Sequence, residues 1–375
     1  MLSLNFVLTV LEEIAPLKLA ESWDNVGLLL GSKDKPVKHI MTCLTITRDV
    51  VEEAIREKAD LIVSHHPMMF KPVQRITSSS EEGNLLLQLA QHQVAVYSPH
   101  TAYDNATGGI NEQLAQALEL VNLKPLVPLK PETSYKIVVF VPEKDLEAVS
   151  QSAFNAGAGH IGNYSHCSFR SSGTGTFWGN EESNPTLGHA GRLESAAEYR
   201  LEIICPALKL SAVLSAITQA HSYEMPAIDV YPLHSTGTSK LGAGRIGELR
   251  QPISAQTLAD CVAAKLGIAV ALTGHRNHAK IQKIAIVCGA GGSLLDAAIS
   301  GKADAFLTGE MRFHDELKAQ AAGITVVVAG HYATERPGVE ALAKMLQIRL
   351  PDCHIWCSRA EHNPAKFVPA ATKLS

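Results

Sequence analysis

The sequence predicts an α/β protein: a duplicated core of mostly parallel mixed sheets, interrupted by a ferredoxin-like α+β insert. Three observations predict it. Short β runs alternate with helical stretches toward both ends of the chain, the rhythm of βαβ units. The two ends repeat each other's residues in the same order. Between them lies a stretch with a different order, β-α-β-β-α-β, which is the split βαβ plan. A length of 375 residues, at about 150 per domain, agrees with two or three domains.

The elements follow in order. Phe6, Val7, Val10, Leu11 and Ile14 share one helical face, so the chain is expected to begin with an amphipathic helix. Glu12 and Glu13, with no basic segment before the apolar run, argue against a secretory signal. No run approaches the roughly 18 apolar residues of a membrane span, so a cytoplasmic protein without a membrane partner is expected. Strands are predicted at His39–Ile46, Asp60–Ser64 and Val94–Ser98, with helices at Asp49–Glu57, Asn84–His92 and Ile110–Leu120. The second end gives strands at Ile284–Cys288, Ala305–Thr308 and Ile324–Ala329, and helices at Leu294–Ser300, Arg312–Ala321 and Arg336–Leu346. In the middle, strands at Lys136–Val141, Glu198–Cys205 and Ala227–Tyr231 accompany helices at Asp145–Asn155 and Leu208–Ala220. The Gly-rich stretch Asn163–Gly179 is expected to hold a hairpin. The domains are placed at 1–130, 131–235 and 236–375, the insert being entered through KPLVPLKPE and left through STGTSKLGAG.

The repetition is specific. Lys58-Ala59-Asp60 precedes the strand LIVS, and Lys302-Ala303-Asp304 precedes AFLT. Each strand ends in polar chemistry, His65-His66 in one case and Gly309-Glu310 in the other. The next strands, VAVYSPHTAYD and TVVVAGHYATE, each place a His just beyond the strand and an acid four residues later: His100 with Asp104, and His331 with Glu335.

Composition narrows the chemistry. The net charge is −4 with histidine neutral, and no Lys/Arg run occurs, so the electrostatic footprint of nucleic-acid binding is missing. The seven cysteines are odd in number and sit mostly in apolar runs, as buried thiols of a reducing compartment do. Cys353 and Cys357 alone do not make a zinc clip, which needs four placed ligands. Histidine stands out, at 16 copies, because it is the commonest metal ligand. His65-His66 lies at the C-terminal end of a buried strand, where α/β sheets carry ligands, and Pro67 fixes the turn that lets adjacent imidazoles serve one site. Two ions about 3.5–4 Å apart need a bridging carboxylate and separate nitrogen donors. Glu335 suits the bridge, His65, His66 and His331 the nitrogens, and Asp104 a terminal carboxylate. His100 and Glu310 are expected to orient ligands. Gly289–Ser293, between a strand and a helix, fits either a phosphate cradle or a tight connection; Trp23-Asp24-Asn25 fits either a site lining or a cap. No G-x-S-x-G, HExxH or CxxC motif is present, which removes serine hydrolases, zincins and thioredoxin-type redox proteins.

Glu21-Ser22-Trp23-Asp24-Asn25-Val26-Gly27-Leu28, the SHHP turn, HTAYDNATGGIN, GRIGEL (Gly244 to Leu249), TGEM and GHYATE together resemble the NGG-interacting-factor-three-like family, whose members are often labelled GTP cyclohydrolase 1 type 2 homologues. GTGTFWG (Gly173 to Gly179) and Asn184 to Gly188 resemble its longer bacterial form. The resemblance implies a dinuclear metal site at His65, His66, Asp104, His331 and Glu335, and a homo-oligomer in the form of a hexameric ring. It also implies an insert similar to PII and CutA folds. Many relatives carry Asn-Leu before the aspartate, where this chain has Ala102-Tyr103. Mixed N/O ligands fit two divalent ions per subunit without choosing among zinc, iron, manganese, cobalt and nickel.

Two functions compete. One is a metal-dependent hydrolase, with metal-bound hydroxide attacking a purine nucleotide, GTP on the family label, and His100 as proton shuttle. The other is a non-catalytic, metal-dependent ring protein that binds a nucleotide, another small molecule or a partner. A ring encircling DNA would need a basic lining, which the acidic net charge disfavours.

Overall fold

The computed structural model describes residues 2–129, 134–234, 239–274 and 280–365. The chain divides into two units, Met1–Leu129 with Ser239–Ser375 and, separately, Lys130–Thr238. The expected junctions at 130–131 and 235–236 lie outside the described residues.

In chain order, the first stretch carries α1 (Leu4–Ile14), β1 (Gly27–Leu30), β2 (His39–Cys43), α2 (Arg48–Arg56), β3 (Leu61–Ser64), α3 (Glu81–Gln91), β4 (Ala95–Ser98), α4 (His100–Asn105), α5 (Ile110–Ala117) and β5 (Val121–Lys124). The second unit carries β6 (Ser134–Val141), α6 (Leu146–Asn155), β7 (Ser168–Trp178), β8 (Leu193–Pro206), α7 (Leu210–Ala220) and β9 (Ile228–Leu233). The final stretch carries β10 (Arg245–Ser254), α8 (Ala255–Leu266), β11 (Ala271–Thr273), β12 (Lys280–Val287), α9 (Leu295–Ser300), β13 (Ala305–Thr308), α10 (Phe313–Ala322), β14 (Thr325–Val328), α11 (His331–Arg349) and β15 (His354–Cys357).

The first unit is built on two mixed sheets. One has the order β15-β2-β3-β4-β1, parallel except for β1. The other has the order β11-β14-β13-β12-β10-β5, with β12, β13 and β14 parallel and the flanking strands antiparallel. Alternation along the strands explains the layers. Ile40, Leu61, Val63 and Tyr97 of one sheet and Ile284, Ile286, Leu307 and Val327 of the other face a shared core with α1, α5, α8 and α11. Met41, Ile62 and Val96 point the other way, onto α2 and α3, while Ala285, Phe306 and Val326 point onto α9 and α10.

The duplication holds at the level of single atoms. Asp60 Oδ2 accepts from the N–H groups of Lys38 and His39 (2.8 and 2.9 Å), and Asp304 Oδ2 accepts from those of Gln282 and Lys283 (3.0 and 2.8 Å). Lys58 and Lys302 both take left-handed backbone, with φ of 55° and 54°. Ser3 and Ser254 both cap the helix that follows, α1 and α8.

In the second unit the sheet order is β7-β8-β6-β9, all antiparallel, which is the order of the split βαβ plan. Ile137, Val139, Val141, Leu201 and Ile203 pack onto Val149, Ala153, Val213 and Ile217 of α6 and α7.

Three details differ from expectation. In α1 the buried stripe is Leu4, Val7, Leu8, Val10 and Leu11, and Phe6 is 50% exposed. The Ser3 cap starts the helix so that Leu4 and Leu8 lead the i, i+3, i+4 face. The Gly-rich stretch is not a hairpin but one arm of it, paired with β8 from Ser168↔Ile203 to Trp178↔Leu193. The helix expected at Arg336 begins at His331 and runs through Pro337. Pro337 does not end this helix, because one missing N–H is tolerated where the packing is this close. A Cβ on Gly338 would fall 2.2 Å from Ile110 Cγ1.

Candidate metal centre

The ends of the parallel strands bring the site together. After β3 the backbone stays paired through the turn, with the His65 and His66 N–H groups donating to Cys43 O and Leu44 O (2.9 and 2.8 Å). After β4, Pro99 leads into α4, whose first residue His100 has φ 23°. After β14, α11 begins at His331 and carries Glu335 one turn on, so the four-residue spacing is a helical i, i+4 pair. His100 and Asp104 stand in the same relation on α4.

The five expected ligands, His100 and Glu310 all meet here. Glu335 Oε2 lies 3.1 Å from His66 Nε2 and 3.0 Å from His331 Nε2, and these two nitrogens are 3.4 Å apart. His65 Nε2 is 3.6 Å from Asp104 Oδ1. The His65 ring lies 5.2 Å from each of the His66 and His100 rings. Among the described residues two groups could hold a metal ion, His65 with His66 and His100, and His66 with His331 and Glu335. They share His66. Sequence reasoning had His100 as a neighbour, whereas its ring stands level with the others.

The outer nitrogens of three rings are anchored. His66 Nδ1 meets Thr45 Oγ1 at 2.7 Å, His100 Nδ1 meets the Asp24 carboxylate at 2.8 and 2.9 Å, and His331 Nδ1 meets Glu310 Oε1 at 3.2 Å. The carboxylates must accept, which fixes the tautomers of His100 and His331 and leaves their Nε2 atoms for the centre, while the Thr45 hydroxyl holds the His66 ring in orientation. Asp24 also accepts the Thr101 N–H (3.1 Å), so it orients His100 and caps α4 at once. The role of Thr45 and the partner of Asp24 were missed, because neither pairing, 21 and 76 residues apart, leaves a local pattern.

Electrostatics follow from burial and crowding. Burial pushes the His65 imidazolium well down, so its ring is neutral. Burial, then Glu335, push the Asp104 carboxyl up to about 7. Glu335 at its side, opposed by burial, pushes His331 up to about 9. Burial alone would raise the Glu335 carboxyl, but the adjacent His331 and His66 outweigh it and hold it below the usual carboxylate range.

The donor set fits a cation. Both ring nitrogens of His65 and Glu335 Oε2 are buried without a hydrogen bond, although neither neighbouring ring is far from that oxygen. Buried polar atoms left without a partner are costly, and a cation between the His65, His66 and His331 rings and Glu335 would satisfy the acceptors among them. The backbone makes room as well. Gly289, with φ +64°, lies so close that a Cβ there would fall 2.1 Å from Glu335 Oε1.

The glycine run beyond it is a tight connection. The N–H groups of Gly289 and Gly291 are taken by the Thr334 and Thr308 hydroxyls (3.1 and 3.0 Å). The seven cysteines are free thiols, and none joins a metal-ligating group among the described residues. Among the described residues no helix is long and apolar enough to cross a membrane.

Known proteins resemble this chain along almost its whole length. A protein from Halalkalibacterium halodurans called a GTP cyclohydrolase 1 type 2 homolog is 35% identical over 365 residues, covering 96% of this chain and 98% of its own. One of the same name from Bacillus subtilis is 35% identical over 366 residues, with the same coverage of both chains. Among solved structures, a Bacillus cereus protein related to NIF3 superposes with a TM-score of 0.77 at 35% identity, covering 98% of this chain and 99% of that one. A Staphylococcus aureus protein reaches 0.83 at 27% identity with the same coverage. With the family model matching residues 2–364, the chain belongs to the Duf34/NIF3 (NGG1p interacting factor 3) family.

Proposed function

We propose that the chain holds two divalent ions at His65, His66, Asp104, His331 and Glu335 and acts as a metal-dependent hydrolase on a purine nucleotide. GTP is the first substrate to try, from the name its relatives carry. One observation carries the reading: a buried carboxylate oxygen without a hydrogen bond between two inward-facing Nε2 atoms, beside a histidine with both nitrogens unpartnered. Glu335, with His66 and His331 on either side of it, would hold the ions together with His65 and Asp104.

Ions bound there would supply Lewis acidity for attack by water. The chain's own groups do the rest. Asp24 accepts from His100 Nδ1, which leaves His100 Nε2 free to take or return a proton. Trp23 and Phe70, 64% and 53% exposed, stand edge-on to the His100 ring at 6.1 and 5.6 Å. Their faces suit a flat heterocycle. A homo-oligomeric ring, hexameric by resemblance, belongs to the same reading and is tested by light scattering.

The direct test is metal content by elemental analysis and formate release from GTP. The expectation is two ions per chain and turnover, both lost in Glu335→Ala. Two ions without turnover would overturn the substrate and leave the metal centre. A metal content indifferent to Glu335 would overturn the centre itself.

A further inference from the structure

The second unit carries a cavity that the metal centre does not use. Ile137, Val139 and Val141 face the helices, so Phe140 points to the opposite face of the sheet. Phe140 pairs with Arg200, Glu198 shares the face of Arg200, and Glu198 pairs with Gly173. Period two then puts Gly175 and Phe177 on that face as well. Over these residues, beneath residues 179–187 and 223–227, lies a cavity of about 590 Å³, a size typical of small-molecule sites. The covering segment is tied down, with the Asn184 N–H donating to Glu224 Oε2 (3.2 Å) and Thr186 Oγ1 to Ser222 O (2.7 Å).

Its chemistry is one-sided. Phe140, Phe177 and Tyr223 supply aromatic wall, and Glu182, Glu198 and Glu224 supply carboxylates, while no Lys, Arg or His is among the described lining residues. Tyr223 donates to Glu198 Oε1 at 2.8 Å. The other oxygen, Oε2, lies over Gly175, where a Cβ would come within 2.2 Å of it. Any side chain at 175 would therefore displace the carboxylate. Nearby, the Arg200 guanidinium already lies 5.9 Å from the Phe140 ring centroid and bonds Glu202 at 2.9 Å, so this ring accepts a cation.

We propose that this cavity binds a small organic cation, an ammonium or guanidinium carried on an aromatic or aliphatic body. The rings take the body and attract the charge through their faces, and Glu198 takes the N–H groups. A phosphate or carboxylate ligand would meet three carboxylates in the lining, while the nearby Arg200 lies outside it and is already paired with Glu202.

The test uses the full chain, with 2-phenylethylamine and 3-phenylpropionate as matched probes, followed by calorimetry and ligand-observed NMR. The amine is expected to bind saturably and the acid not to bind. Glu198→Gln should weaken the amine about tenfold, the loss of one charge-assisted hydrogen bond. Glu182→Gln, at an exposed loop position that cannot unfold the sheet, should weaken it by a smaller factor. Metal content should stay the same in both, which separates this site from the metal centre. The proposal is overturned if the acid binds as tightly as the amine, if neither variant changes the affinity, or if the amine shows no saturable binding.

Discussion

A single methyl group placed at Gly289 should disarm the metal centre without touching a ligand. Gly289 has φ +64°, and a Cβ there would lie 2.1 Å from Glu335 Oε1 and 3.2 Å from His331 Nε2. Ordinary contact between such atoms is about 3.4 Å or more, so the carboxylate must retreat by about 1 Å. Glu335 is only 5% exposed, so it has little free volume to retreat into. Alanine in left-handed backbone costs about 1 kcal/mol in stability. The larger effect is on the metal, because moving a ligand's supports typically weakens affinity about 10–100-fold. Gly289→Ala should therefore fold with a slightly lower thermal midpoint and lose its ions at a correspondingly lower chelator concentration, followed by elemental analysis after dialysis. Gly292→Ala is the control. Its Cβ would meet only the Asp315 carboxylate, at 3.0 Å, and its backbone is not left-handed. If Gly289→Ala holds its ions as tightly as the unaltered protein, Glu335 is not a ligand and the placement of the centre is wrong.

Other perturbations discriminate further. Asp24→Asn should lower turnover about 10–100-fold while leaving two ions per chain, since it loosens the His100 ring and touches no ligand; loss of an ion would instead make His100 a ligand. Glu53 is 1% exposed and accepts from Trp356 Nε1, Ser358 Oγ and the N–H groups of Arg359 and Ala360. Glu53→Gln should cost about 2 kcal/mol at pH 7 by urea unfolding followed through Trp356. Burial would raise this carboxyl, but the hydrogen bonds from Ser358, Ala360 and Arg359 outweigh it and hold it below the ordinary 4.5. The advantage over Gln is thus full above pH 4.5 and lost as the pH falls through the depressed folded value; an advantage unchanged in acid would refute the assignment. Arg245, 1% exposed, bonds Glu112 (3.1 Å) and the carbonyls of Ala106, Gly242 and Gly244. Arg245→Ala should cost about 3 kcal/mol, measured by denaturant midpoint, because it strands a partly buried carboxylate and three backbone acceptors.

What could be read in advance divides along physical lines. The strand and helix rhythm was legible because buried parallel strands are short apolar runs and their helices are periodic, signals that are local. Asp104, His331 and Glu335 could be proposed because duplication repeats a His and an acid four residues apart, and His65-His66 because two adjacent histidines close a buried strand. The helical i, i+4 relation of His331 and Glu335 was not read, since the helix was expected only from Arg336; close packing of Gly338 on Ile110 of α5 accompanies its run through Pro337. Phe6 was assigned inward because periodicity fixes a face only to within a residue or so, and the Ser3 cap decides the rotation. Asp24 was left undecided between lining and capping. It does both, and no pattern near Trp23 states that His100, far along the chain, will be its partner.

The two sheets of the first unit also exchange strands. β5, from the first stretch, is an outer strand of the second sheet, and β15, from the final stretch, is an outer strand of the first. Each lies against a strand that would otherwise be a bare edge. Excising either half would therefore leave a truncated sheet, and its own outer strand without a place to dock. The half-chains cannot act as independent modules, and a fragment made alone has one natural remedy, exchange with a second copy of itself. The covalent link between the halves thus gives one chain what two copies would otherwise have to find by collision. Proteolytic nicking between them should leave the pieces interlocked until the unit unfolds.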